Sequence, residues 1–399
     1  MRGLTLAPAG RWLPVVGITL IAALLLGLGV LFVHSATAGP EDPFPSPLAR
    51  SHLMRIAVAS FIFLGAAMID YRRLETIAPV LYGFGLALLL ALLAIKWIEG
   101  GVVRWFRFGN SSLQPSELVK LFSIILLARF IKSGRVNEQR IPLLACLAVV
   151  GIPFLMVAAQ PDLGTALVLV PITAAMLWAG GLGIRTFGGL GVAGLLVVLA
   201  GVPFLHEYQL SRLRVFLGIA GEDAEIGHGY QVTHSMISIG SGGPTGKGLF
   251  LGTHHDLGYL PEDHNDFIFG VIGEEWGLLG SLATVATYLA LFLLVIAVAW
   301  RTREPFGRLV AVGVCTQLSF QTLINLGMTI GVFPVTGIPL PLISFGGTSM
   351  LVTMFGLGTV VAIALRPVES LHPDGLRSGS AERQGLKRVT IRARSVARA

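Results

Sequence analysis

Long apolar runs alternate with short polar breaks along most of the chain. A helix needs about 20 mostly apolar residues to cross a bilayer. Ten runs reach or approach that length: 13–33, 53–69, 77–95, 114–131, 142–159, 163–180, 184–204, 267–299, 308–331 and 342–365. The pattern predicts an all-α, polytopic membrane protein with about ten transmembrane helices. The fifth and sixth runs are parted only by Gln160-Pro161-Asp162. Non-helical backbone at membrane depth needs protein or water around it, so this turn is expected to be buried or to face a cavity.

One polar interval is far longer than the others. Residues 205–265 form a 61-residue loop between the seventh and eighth spans, and loops of this length tend to be functional. It holds six of the nine histidines (His206, His228, His234, His254, His255 and His264), together with Arg212, Arg214, Lys247 and a glycine-rich stretch. The chain thus divides into a transmembrane domain, 1–368, and a tail, 369–399, that is basic, contains Ser and Gly and is poor in apolar residues. Such a tail is expected to be disordered and to lie on anionic membrane lipid. No internal repeat is visible in the spans, so the inverted-repeat signature of many transporters is missing.

Composition agrees with the pattern. Of the 399 residues, 54% are hydrophobic and 13% charged, about half the charge of a soluble domain, and the mean hydropathy is +0.77. This excludes a nucleic-acid-binding protein, a cytosolic enzyme or a disordered scaffold as the main reading. The two cysteines, Cys146 and Cys315, lie inside apolar runs, which argues against a disulfide framework or a Cys-based zinc site. The first run is too long for a signal peptide core and is followed by further spans.

Charge placement orients the spans. With the N-terminus inside, 20 of the 29 Lys and Arg fall in inner segments. Eight fall in outer ones (Arg50, Arg55, Lys96, Arg104, Arg107, Arg212, Arg214 and Lys247), and Lys120 lies within a span. Basic residues favour the cytoplasmic side, so both termini are expected there and 205–265 outside.

Charges in or beside spans are costly and usually functional. Glu117 and Lys120 share one helix face at spacing i, i+3. They either neutralise one another as structural glue or line a site. Asp162 follows a proline at a helix start and reads first as an N-cap. Asp266, Glu274 and Glu275 open the eighth span, and spacing alone does not decide between cap and catalyst. The loop histidines show no H-E-x-x-H spacing. The stretch from Ser241 to Gly248 looks like a phosphate loop but lacks its first Gly and its terminal Ser/Thr. Its amides and Lys247 still offer an anion a place.

The run Tyr259-Leu-Pro-Glu-Asp-His264-Asn-Asp266-Phe-Ile-Phe-Gly-Val-Ile-Gly-Glu274-Glu275 resembles the signature of the SEDS family (shape, elongation, division, sporulation). So do four other stretches in the same order: Arg104-Trp105 with Leu113-Gln-Pro-Ser-Glu117-Leu-Val-Lys120, Gln160-Pro-Asp162-Leu-Gly-Thr165, Tyr230-Gln231 through Lys247-Gly248, and Pro339-Leu-Pro-Leu-Ile-Ser344-Phe-Gly-Gly-Thr-Ser349. The resemblance covers about 10–368 and is stronger to the RodA branch. Asn265 stands where Thr is usual, Phe345 where Tyr is common and Thr348 where Ser is common.

The resemblance implies a peptidoglycan glycosyltransferase of the bacterial cytoplasmic membrane, polymerising lipid II at the outer face for elongation and shape. It implies an essential aspartate at Asp266 and a class B penicillin-binding protein as partner. The GlcNAc 4-hydroxyl of one lipid-linked substrate attacks the anomeric carbon of a lipid-linked glycan strand, inverting it and releasing undecaprenyl diphosphate. A positioned base helps such a hydroxyl by about 10²–10⁴-fold, and Asp266 is the candidate. Neutralising the leaving group suits Arg104, Arg212, Arg214, Lys247 or a divalent cation, Mg2+ or Mn2+; no organic cofactor is expected. Glu117 and Lys120 are expected to line or brace the cavity. His264 and Ser344, which stand in the motifs, complete the expected substrate-binding set. A lipid II flippase and a non-catalytic hub for cell-wall synthesis are the competing readings. The orientation is checked by cysteine labelling. Reagent added outside is expected to reach Thr245→Cys and to miss Ser133→Cys, and the reverse pattern would invert the topology.

Overall fold

The computed structural model describes residues 9–38, 43–109, 111–132, 140–201, 203, 207–219, 228–253 and 264–366. Contacts divide the chain into two units, Met1–Arg366 and Pro367–Ala399; the second, with the expected basic tail, lies outside the described residues. Ten helices correspond to the ten predicted spans: α1 (Ala9–Ser35), α2 (Pro47–Met68), α3 (Arg72–Glu99), α4 (Pro115–Ile131), α5 (Arg140–Ala158), α6 (Leu163–Ala179), α7 (Ile184–Gly201), and, after the large loop, α10 (Ile268–Arg301), α11 (Pro305–Thr329) and α12 (Gly347–Leu365). The loop itself contributes α8 (Glu207–Phe216) and α9 (His228–Ser241). Seven of the ten are long and apolar enough to cross a bilayer by themselves. The other three, α4, α5 and α6, have 17, 19 and 17 residues.

Helix α4 is short and charged, yet it sits deepest. Most of its residues are buried, and α3, α5, α6, α11 and α12 all pack against it. Its neighbours, rather than lipid, meet its polar groups. Close approach between helices depends on small residues, as is usual where helices pack in lipid. A Cβ built on Gly358 of α12 would lie 2.4 Å from the Phe63 carbonyl of α2, and one on Gly313 of α11 would lie 2.5 Å from Ile124 of α4.

Two features depart from the linear pattern. The last helix begins at Gly347, five residues after the predicted start at 342, because Pro339 and Pro341 disfavour helix and Leu342 turns back at φ 71°. A short antiparallel hairpin, β1 (Phe106–Phe108) and β2 (Ser111–Leu113), precedes α4 with Phe106 opposite Leu113. Three residues per strand leave too short an alternation to stand out in sequence.

Helix α10 is broken at Gly277 (φ 64°, ψ −159°), and the glycine-rich stretch repairs the break. The amides of Lys247 and Gly248 donate to the carbonyls of Glu274 and Glu275, both at 3.0 Å, while Leu278 and Leu279 donate to Gly243 and Pro244 at 2.9 and 3.1 Å. Helix bonds freed by a kink must be met by other protein groups in this setting. The expectation that these amides hold an anion is therefore corrected for Lys247 and Gly248, whose N–H groups belong to α10. The fit has little slack: a Cβ on Gly246 (φ 82°) would lie 2.0 Å from the Glu275 carbonyl, whereas Gly243 (φ 57°) faces open space. Gly243→Ala is expected to cost about 1–2 kcal/mol for left-handed backbone, and Gly246→Ala a further 1–3 kcal/mol or so from overpacking. Thermal unfolding in detergent measures both; equal losses of Tm would show that the close packing on α10 contributes nothing.

Candidate active site

Four helices begin around one cavity of about 520 Å³. Its wall includes Gln114 and Glu117 from the start of α4, Asp162 and Thr165 from the start of α6, Asp266 and Phe267 at the start of α10, and Gly346 to Ser349 at the start of α12. Unpaired N–H groups and the positive end of the helix dipole occur at each such start. Three guanidinium groups, Arg55, Arg104 and Arg212, line the same space.

Each wall is fixed by a definable contact. Asp162 caps α6, accepting from the Thr165 amide at 3.2 Å, and its other oxygen accepts from Gln114 Nε2 at 3.1 Å. Arg104 donates to the carbonyls of Gln160 and Pro161 at 3.3 and 2.5 Å, so the turn between the fifth and sixth spans does face a cavity. Thr348 joins α12 to the hairpin, accepting from the Gln114 amide at 3.0 Å and donating to the Ser112 carbonyl at 3.1 Å. Arg212 of α8 donates to the Val335 carbonyl at 2.9 Å, which ties the outer loop to the segment before α12.

Asp266 lies in the turn before α10, whose N-cap position is Phe267. Its backbone is anchored from α11: Asn325 Nδ2 donates to the carbonyls of Asp266 and Ile338, both at 2.8 Å. Gly337 (φ 73°) passes beside the carboxylate, so that a Cβ there would lie 3.4 Å from Asp266 Oδ2. His264 lines the cavity too. Its carbonyl accepts from the Phe345 amide at 3.1 Å, and its ring meets the edge of Phe345 at 5.9 Å.

Glu117 and Lys120 are both buried and pair at 2.6 Å, with side chains 4% and 1% exposed. The pair closes the cavity on the α4 side: Glu117 lines it, and its Oε2 has no partner among the described residues. Leaving one member of such a pair alone costs about 3–5 kcal/mol.

Three expected substrate-binding residues stand elsewhere. Lys247 donates to Glu274 Oε1 at 2.5 Å and to Thr253 Oγ1 at 2.8 Å. The same oxygen of buried Glu274 accepts from the Thr253 amide at 2.8 Å, and its other oxygen accepts from Ser238 at 3.1 Å. Lys247 therefore balances a buried acid rather than facing the cavity. Arg214 is exposed and lies 3.5 Å from Glu207 one to two turns away on α8, a surface pair of little energetic weight. Ser344 is buried; its Oγ accepts from the Leu340 amide at 2.8 Å and holds the turn before α12. Of the loop histidines, His206, His254 and His255 lie outside the described residues, and His234 packs on Tyr230 at 4.0 Å between ring centres. Among the described residues no three His, Cys, Asp or Glu side chains converge as a metal site.

Arg55 was legible only as one of eight outer basic residues. It stands in α2 with its guanidinium 3.9 Å from the Phe345 ring centre and within 3.7 Å of the Cβ position of Gly347. The signal available in sequence was an arginine near the start of an apolar span with no acid three or four residues away.

Three carboxylates line the cavity with the guanidinium groups: Asp162 caps α6 and Glu117 pairs with Lys120, while Asp266 stands at the start of α10. A carboxylate so placed can take a proton from a hydroxyl, while the guanidinium groups and helix ends can hold a multiply charged anion. The family model of the FtsW/RodA/SpoVE cell cycle proteins matches residues 16–367. The chain is 37% identical to peptidoglycan glycosyltransferase MrdB of Escherichia coli K12, over 85% of this chain and 92% of that one. It is 31% identical to stage V sporulation protein E of Bacillus subtilis, over 87% and 96%. Among solved structures it superposes on a chain of a peptidoglycan synthase complex that coordinates polymerization and crosslinking, with TM-score 0.72, 31% identity and coverage of 89% and 98%. It also superposes on the rod shape determining protein RodA of Thermus thermophilus, with TM-score 0.64, 27% identity and coverage of 89% and 97%. The chain belongs to the SEDS family, the FtsW/RodA/SpoVE cell cycle proteins.

Proposed function

We propose that this protein is a RodA-type peptidoglycan glycosyltransferase that polymerises lipid II into glycan strands. The observation that carries the proposal is the cavity in which Asp266 stands among Arg55, Arg104 and Arg212, in a chain that matches named glycosyltransferases along most of its length. Asp266 is the general base. It takes the proton of the GlcNAc 4-hydroxyl as that oxygen bonds to the anomeric carbon of the lipid-linked strand. The bond from that carbon to the diphosphate breaks, and the electron pair leaves with undecaprenyl diphosphate. Direct displacement turns an α-linkage into a β-linkage with a single base; the paired acid and base of an inverting glycosidase are not required, because the leaving group is already activated. The guanidinium groups that line the cavity neutralise the charge growing on the leaving group.

A divalent cation, Mg2+ or Mn2+, fits this site. Mg2+ is usually held by one or two carboxylates together with substrate phosphates. Asp266 and Glu117, whose Oε2 has no partner among the described residues, line one cavity, and a cation held there would add to the neutralisation of the diphosphate. The orientation we assign puts both termini in the cytoplasm and the cavity at the outer face, which the distribution of Lys and Arg supports. The partner is a class B penicillin-binding protein that crosslinks the strands; the likeness to a chain from a complex coordinating polymerization and crosslinking supports it. Elongation and cell shape are the cellular role, supported by the likeness to a rod shape determining protein.

Polymerisation of purified lipid II in detergent, where nothing can be flipped, tests the activity. Asp266→Asn keeps the size of the side chain but loses the base, and is expected to fall by about 10²-fold or more while remaining folded. Full activity in a folded Asp266→Asn protein would remove Asp266 from the chemistry. For the pair in α4, Glu117→Lys or Lys120→Glu alone is expected to lower the yield of folded protein sharply. The double exchange is expected to restore folding in part, with turnover staying low because the carboxylate has left the cavity wall. Single changes silent in both yield and turnover would sink the role of this pair.

A further inference from the structure

We infer that Arg55 and the first turn of α12 form the diphosphate subsite of the cavity. Of the three guanidinium groups lining it, Arg104 donates to Gln160 and Pro161 carbonyls and Arg212 to the Val335 carbonyl. Arg55 has no hydrogen-bond acceptor or acidic partner among the described residues; its one contact of this kind is the face of Phe345. Stacking on an aromatic ring holds a guanidinium plane in place while leaving its edge donors open. That edge lies beside Gly347, the first residue of α12.

The helix start itself is open to a ligand. Helices α2, α6 and α11 are capped by their own chain through Ser46, Asp162 and Glu304, whereas α3, α4, α10 and α12 have no side-chain cap. The N-cap of α12 is Gly346, which has no side chain to accept from the first-turn amides. Ser349, in that first turn, lines the cavity, is 7% exposed, and its Oγ has no partner among the described residues. Hydroxyls inside the helices here commonly donate to the carbonyl four residues earlier, as Thr173 and Ser281 do; for Ser349 that carbonyl belongs to Phe345, before the helix begins. A buried hydroxyl without a partner is costly. A planar cation, a helix start without a cap and an orphan hydroxyl thus meet on one wall.

Their shared ligand is an anion with several oxygens spread over more than one centre. A diphosphate fits: its oxygens can take the fork of Arg55 and the amides of 347–349 together. A phosphodiester head group of ordinary lipid offers the same chemistry at a lower charge. Depth favours a lipid-linked group, since Gly347 lies where the last span begins and the diphosphate of a polyprenyl carrier sits at that boundary.

The assignment rests on the glycosyltransferase reading for its substrate but is tested apart from it. The full chain is placed in nanodiscs of neutral lipid, and binding of undecaprenyl diphosphate, undecaprenol and phosphatidylglycerol is measured by native mass spectrometry. The wild type is expected to prefer undecaprenyl diphosphate to both others. Arg55→Gln is expected to weaken undecaprenyl diphosphate by about 10- to 100-fold without changing undecaprenol. Arg55→Lys should fall between, since it keeps the charge and loses the fork. Ser349→Ala is expected to weaken the diphosphate by a few-fold. In polymerisation, Arg55→Gln should raise the KM for lipid II more than it lowers kcat. Should Arg55→Gln fail to fold, Arg55→Lys and Ser349→Ala carry the test. Unchanged diphosphate binding in folded Arg55 variants overturns the subsite, and equal binding of phosphatidylglycerol overturns its assignment to a diphosphate. Diphosphate binding that depends on Arg55 in a protein unable to polymerise lipid II overturns the proposed activity and leaves the subsite standing.

Discussion

A charged cavity in an apolar bundle must be lined by polar groups that the bundle itself brings together, and here four helix starts meet in one place. Gln114, Asp162, Asp266 and Gly346 each stand at the entrance of a helix that opens onto the cavity. Helix starts carry N–H groups that need acceptors and a field that favours anions. Converging them makes an electropositive hollow without adding many cations, which fits a chain with only 13% charged residues. The hairpin, the Gln160–Asp162 turn and the Val335–Gly347 segment then act as a collar, each tied to its neighbour by one or two hydrogen bonds.

Charges in this protein fall into two uses. Some are closed upon one another: Glu117 with Lys120, and Glu274 with Lys247, Thr253 and Ser238. The Glu274 group and the glycine-rich stretch together seal the break in α10 at Gly277 and tie it to α9. A buried pair of this kind is weak evidence of stability compared with apolar packing, but removing one partner is heavily penalised. Others keep unused hydrogen-bonding capacity among the described residues, as Arg55 and Glu117 Oε2 do, and so does the uncharged Ser349 hydroxyl. The first use holds the shape of the hollow, and the second gives it chemistry. Glu117 serves both, since one oxygen meets Lys120 and the other has no partner among the described residues.

The proposed mechanism asks for a carboxylate and for positive charge at different points of the same space. Asn325 and Gly337 decide where the Asp266 carboxylate stands, the first by holding the Asp266 carbonyl and the second by leaving room beside the side chain. Phe345 decides where one of the positive charges stands, with Arg55 on its face and His264 at its edge. None of the three supports is charged, so none stood out among the charged residues that marked the site in sequence.

Length and hydropathy were enough to place the ten helices in order; seven of them meet by themselves the demand of about 20 apolar residues that crossing a bilayer makes. Local chemistry was enough for the Asp162 cap and the i, i+3 pairing of Glu117 with Lys120, since both depend on residues within one turn. The motif order was enough to name the family and to single out Asp266. Distance across the chain decided the rest. Whether Lys247 meets a substrate or Glu274, 27 residues away, and whether Arg55 lies over Phe345, 290 residues on, are questions of packing between helices. Sequence spacing carries no such information, because residues that far apart meet only when the bundle has closed.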